Sequence, residues 1–234
     1  LHRARQQVRV QLAWDLQPEL LDTWRAHKLT GPYSPDSATA GRRALRNLAL
    51  GYLMELDDPE VRALALTQFE HADNMTDAMA ALSMFANCDC HERAQVLEAF
   101  YEKWKDEPLV VDKWLAAQAS SRLPGTLDEV KRLTAHPAFN IRNPNKVYAL
   151  LFGFCANHRR FHSADGSGYE FAAGKIIEID PLNPQVAARM ARAFDRWRKF
   201  DAARQVHASA ALERVRGTGG LSRDTLEVVA KALA

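Results

Sequence analysis

Three cysteines in 234 residues are too few, and an odd number, for a disulfide framework. A reducing compartment, the cytoplasm, is therefore the expected location. No apolar run approaches the ~20 residues a membrane-spanning helix needs, which excludes an integral helical membrane protein. The N-terminal LHRARQQVRVQLAWDLQ has no apolar signal-peptide core and reads as an amphipathic helix. It starts in mid-helix without Met, so a domain of a longer polypeptide is expected. Charge of one sign is also scarce: 31 Lys and Arg stand against 29 Asp and Glu. The balance hides an asymmetry. Ile141 to Ala234 carries 15 Lys and Arg against 9 Asp and Glu, and Leu1 to Asn140 carries 16 against 20. A basic second half suits acidic surfaces or the carboxylate ends of peptides. No stacking-aromatic motif or dense basic stripe accompanies it, so neither nucleic acid nor membrane is expected as a partner.

Several catalytic signatures are present only in part. Cys88-Asp89-Cys90-His91 resembles half of a zinc site, but a structural zinc needs four ligands and no second knuckle follows. His91-Glu92-Arg93-Ala94-Gln95 starts like the zinc-peptidase helix, which needs a second His at the fifth place to put two imidazoles on one face; that place is Gln95. Asp165-Gly166-Ser167-Gly168 has no P-loop Lys and follows no strand, so it is expected to turn into a helix N-terminus, Gly168 supplying backbone angles that a side chain would forbid. Cys155, among Leu and Phe, acts as a small hydrophobe. No metal site and no catalytic residue is assigned to this chain.

What the sequence does contain is helix periodicity. About thirteen helices and no strands are predicted, with end signals at Ser37, Asp58-Pro59, Asn74 or Thr76, Pro108, a Thr126/Glu129 capping box, Asn143-Pro144, Asn183-Pro184, Asp201 and Ser222. The helix after Pro184 is expected to reach Arg198. Met75, Met79, Leu82 and Phe85 form a stripe expected to pack in a core. Short loops make neighbouring helices antiparallel pairs, and many pairs without strands point to an irregular α-solenoid or superhelix rather than a closed bundle. There is no strict repeat and no convincing linker, so residues 1–234 are expected to form a single domain.

The chain is organised around Phe161 to Gln205. It reads as FHSADGSGYEF, a helix, a proline-started turn, then NPQVAARMARAFDRWRKFDAARQ. On the helix from Pro184, Val186, Met190, Ala193, Phe194 and Trp197 share one face at 100° per residue. Arg189 sits at the rim of that stripe, where its stem can pack and its guanidinium can enter a groove. From the residues alone, Arg189 is equally a surface or ion-paired arginine.

This stretch resembles the C-terminal helical domain of bacterial aminopeptidase N, a zinc peptidase of the HExxH class. The likeness extends to GRRALRNLALGYL (Gly41 to Leu53), NMTDAMAALS (Asn74 to Ser83), VDKW (Val111 to Trp114), NPNKVYALLFGF (Asn143 to Phe154) and the Ala-Leu-Ala ending. The resemblance implies an irregular superhelix of paired helices that caps a catalytic domain of the same polypeptide and lines the access channel for peptide substrates. It implies that zinc belongs to that catalytic domain. It also implies that Arg189, in the NPQVAxR run, faces the channel, whereas Tyr148 departs from a basic residue in some relatives. The family's Gly-x-Met-Glu-Asn run is missing, and Met54-Glu55-Leu56 is a chance fragment of it. A different class of function, a free-standing helical scaffold holding a partner peptide in a concave groove, fits the same residues. The isolated chain should show helix without strand in its far-ultraviolet circular dichroism, and should hydrolyse no aminoacyl-anilide with added zinc. Activity that survives repurification and is lost on chelation would contradict the absence of catalytic machinery.

Overall fold

A computed structural model describes all of residues 1–234. The protein is all-α, as expected, and contains no strand. Its contacts divide it into two compact units, Leu1–Lys103 and Trp104–Ala234.

The first unit contains α1 (His2–Asp15), α2 (Gln17–Ala26), α3 (Ser37–Leu53), α4 (Pro59–His71), α5 (Met75–Ala86) and α6 (Glu92–Trp104). The helix α3 packs against α1, α2 and α5, and α4 packs against α5. Leu50, Leu53, Leu82 and Phe85 lie in the core, so the lower half of the Met75-to-Phe85 stripe is buried as expected; Met75 and Met79 are half-buried. Asp36, not Ser37, caps α3: its Oδ1 accepts from the amides of Ala38 and Thr39 at 2.9 and 3.0 Å. An ionised acceptor one residue earlier answers two orphan amides, which leaves Ser37 as the first helical residue.

The second unit contains α7 (Pro108–Ala119), α8 (Thr126–Thr134), α9 (Pro144–Val147), α10 (Gly153–Ala156), α11 (His158–Phe161), α12 (Ser167–Ile179), α13 (Pro184–Ala191), α14 (Ala202–Arg216) and α15 (Arg223–Leu233). A π-helical turn, Tyr148–Phe152, joins α9 to α10. The single turn α11 is a helix the sequence pattern did not announce. The Thr126/Glu129 capping box is not formed. Gly125 precedes the helix, and the Thr126 hydroxyl donates instead to the carbonyls of Ser121 and Leu123 at 2.9 and 2.7 Å. Thr126 is buried, so its hydroxyl answers loop carbonyls that would otherwise lie unpaired in the core. The helix after Pro184 also ends early, at Ala191, and continues as two 3-10 turns, Arg192–Phe194 and Trp197–Lys199.

Two polar clamps fix α15. At its start, Asp180, the C-cap of α12, accepts the Ser222 amide at 2.7 Å and the hydroxyls of Ser222 and Thr225 at 2.6 and 2.5 Å. At its end, the Trp197 indole and the Arg198 guanidinium donate to the Ala232 carbonyl at 2.9 and 2.5 Å, and Arg198 reaches Leu233 at 2.7 Å. These bonds answer C-terminal carbonyls that the helix cannot satisfy itself. Burial tends to raise the pKa of Asp180, but the bonds from Ser222 and Thr225 outweigh it and hold the carboxyl below its ordinary 3.8. A depressed folded-state value contributes stability that is present above pH 3.8 and is lost as pH falls through the folded value. Asp180→Ala should therefore cost about 3 kcal/mol near neutral pH, since three donors lose a charged acceptor. In chemical denaturation, the gap between wild type and variant should shrink at acid pH; a gap independent of pH would refute the clamp.

Candidate functional site

The site is built from the α10–α14 region. Gly166 caps α12 with φ +73°, a left-handed angle, and a Cβ there would lie 2.5 Å from the His207 ring. Gly168 lies inside the helix without positive φ. A Cβ at this position would sit 2.3 Å from the Phe161 carbonyl oxygen. The expectation that Gly168 supplies unusual backbone angles is thus corrected: Gly166 does so, and Gly168 supplies close approach. Asp165 accepts the Ser167 hydroxyl at 2.8 Å and the Ser167 amide at 3.1 Å, which lowers its pKa. Its own carboxylate closes this turn, as an Asx-type start to α12.

The close approach seats Tyr169, fully buried, edge-on to Phe161 at 5.3 Å between ring centroids. Phe161 packs in turn edge-on to Phe154 and Phe194. The Tyr169 hydroxyl shares a 2.8 Å hydrogen bond with His162 Nδ1, and the His162 ring stacks on Phe200 at 3.9 Å. Burial pushes the Tyr169 phenol pKa up, so it remains a neutral hydroxyl. Arg204 Nε donates to the His162 carbonyl at 2.7 Å and fixes this segment to α14.

His162 and Phe200 form one wall of a groove of about 490 Å³, with Phe152 and Met190 beneath. Arg189, Arg192, Arg196 and Lys199 project at its rim, against the single acid Asp195. All four cations are solvent-exposed, and none is held in an ion pair. Arg189 rests over the Tyr148 ring at 5.1 Å and makes no hydrogen bond. Tyr148 is itself edge-on to Phe152 at 4.8 Å, a pairing set by the π turn that carries both. Arg189 and Arg192 also border a neighbouring groove of about 490 Å³ shared with Asp224 and Glu227 of α15. Chemically the first groove offers several unpaired donors over an apolar floor, an arrangement fit for carbonyl oxygens and a carboxylate.

The structure brings Arg189 and Tyr148 together, which spacing did not anticipate across 41 positions. It also adds Arg192, Arg196, Lys199 and Phe200, which sequence reasoning passed over. The steps 189, 192, 196 and 199 follow helical spacing, so the signal for this stripe was present. Cys88, Cys90 and His91 assemble no group able to hold a metal. Burial pushes the Cys88 thiol up to about 12, helped by Cys90, and Cys155 likewise to about 12, so both remain thiols rather than thiolate ligands.

Paired helices without strands, carrying no metal group and one open basic groove, define a helical-repeat domain. The chain belongs to the family described as "Domain of unknown function (DUF3458_C) ARM repeats", which matches residues 1–234. It is 38% identical over its full length to aminopeptidase N of Caulobacter vibrioides, and 36% identical over 95% of its length to that of Escherichia coli. It spans 27% and 26% of those proteins, corresponding to their C-terminal part. A crystal structure of Legionella pneumophila aminopeptidase A in complex with aspartic acid superposes with a TM-score of 0.91 at 32% identity, covering 99% of this chain and 28% of that one.

Proposed function

We propose that this chain is the non-catalytic C-terminal part of a zinc-dependent aminopeptidase, capping the catalytic domain of the same polypeptide and walling the peptide route to the active site. An aminopeptidase holds the substrate's amine at its metal, so the remaining peptide and its terminal carboxylate extend away from the chemistry. A wall that admits only narrow chains limits entry to short or unfolded peptides and keeps out bulk water. In this reading the zinc that activates water is held by the catalytic domain. Nothing in the chain is long and apolar enough to cross a membrane as a helix. A cytoplasmic enzyme acting on peptides is the setting we assign.

The observation that carries this reading is Arg189: an exposed, unpaired guanidinium held over Tyr148 at the rim of an apolar-floored groove. The ring contact is worth only about 0.5–1 kcal/mol at such a site, so the side chain has little structural duty. A charge-assisted hydrogen bond to a peptide is worth roughly 1.5–3 kcal/mol. In the full-length enzyme, Arg189→Ala should lower kcat/KM for peptides by about ten- to a hundred-fold while moving Tm little. Single-residue anilides, too short to extend from the metal, should suffer less. Unchanged peptide kinetics with a Tm lowered by several degrees would make Arg189 a structural residue and sink the assignment.

A further inference from the structure

The Leu1–Lys103 unit holds a second concavity, of about 410 Å³, bordered by Trp24, Tyr33, Arg43, Arg46, Asn74 and Asp77. Several of its polar groups are matched with one another. Gln68 Nε2 donates to Asn47 Oδ1 at 2.7 Å, and Gln68 Oε1 accepts the Trp24 indole at 3.3 Å. The side-chain amides of Asn47 and Asn74 each donate to one oxygen of Asp77, at 2.7 and 3.0 Å. Arg43 is buried, donates to the Ser34 carbonyl at 2.8 Å and stacks on Tyr33 at 4.7 Å.

Arg46 carries a buried donor without an acceptor, its Nε. Its guanidinium lies over the Trp24 ring at 4.8 Å, and no carboxylate is within ion-pair distance. Burial lowers its pKa, and the nearby charge of Asp77 only partly restores it. An unanswered donor of this kind is costly, and a planar fork of donors fits the two oxygens of a carboxylate. The remaining walls narrow the choice of anion. Asp73 and Asp77 line the same cavity together with Lys28 and Arg43, and walls that carry both signs of charge suit a zwitterion better than a dianion such as phosphate.

We propose that this cavity is a binding site for a small monocarboxylate, the class that includes free amino acids, with its carboxylate on Arg46 and its body beside Trp24. For an α-amino acid, the ammonium group would face the acids Asp73 and Asp77. The site is independent of the peptide groove, and neither proposal needs the other.

The test is calorimetric titration of the full-length polypeptide with L-phenylalanine, phenylalaninamide, acetate and inorganic phosphate, for wild type and Arg46→Gln. One saturable component of the L-phenylalanine titration should weaken ten- to a hundred-fold in Arg46→Gln, while phenylalaninamide and phosphate should show no component that depends on Arg46. Acetate binding that depends on Arg46 as strongly as phenylalanine binding does would restrict the ligand to simple carboxylates. If Arg46→Gln fails to fold, Arg46→Lys replaces it; this variant keeps the charge, loses the fork and should still weaken binding. Titrations identical in wild type and variant would overturn the proposal. So would a crystal structure of the full-length polypeptide in which an acidic side chain of its own already occupies Arg46.

Discussion

The contact on which the second unit depends is the absence of a side chain at Gly168. Phe161's carbonyl occupies the space where a Cβ would stand, so α12 starts directly against the end of α11. Everything aromatic around it follows. Tyr169 reaches the interior beside Phe161 and Phe194, its hydroxyl holds His162, and His162 carries Phe200 into the groove wall. Overpacking in a close-packed core costs about 1–3 kcal/mol, and more where the obstacle is backbone that cannot turn aside. The shape of the groove is thus set at a glycine that does not line it.

Around that fixed wall, the cations remain uncommitted. Surface arginines usually settle into ion pairs with neighbouring acids, and several do so elsewhere: Arg132 with Glu129 at 2.6 Å and Arg216 with Glu213 at 2.6 Å are examples. Arg189, Arg192, Arg196 and Lys199 do not. Each exposed charge by itself is worth little against screening water and salt, with a Debye length of about 8 Å at physiological ionic strength. Four cations around one concavity sum to a field that favours an anionic group arriving from outside. Tyr148 adds direction by holding the Arg189 guanidinium over its ring, so that less freedom is lost when a ligand binds.

Helix content, most helix starts and the Arg189 position were legible in the sequence because each depends on local chemistry. Asn183-Pro184, Asp201 and Ser222 carry their capping chemistry in their own side chains, which do accept amides, from Val186, Arg204 and Thr225. What was not legible depended on partners far away in the chain. Thr126 abandons its capping role for carbonyls of a buried loop, and the helix after Pro184 gives way to 3-10 turns at Arg192, where Trp197 and Arg198 turn to the end of α15. Tyr148 beneath Arg189 belongs to the same class, because a π turn and a helix 41 positions later meet only in three dimensions. The basic stripe at 189, 192, 196 and 199 was visible by spacing. Its convergence on one apolar floor was not.

The central claim is that the Arg189 groove receives the carboxylate end of a peptide. A thermodynamic cycle tests it most directly, using one peptide with a free and with an amidated C-terminus in the wild-type full-length enzyme and in Arg189→Ala. Amidation should lower kcat/KM in the wild type by about tenfold, and should have little effect once Arg189 is gone, because the two changes remove the same interaction. Equal penalties in both enzymes would show that the carboxylate is recognised elsewhere, or not at all, and would contradict the account.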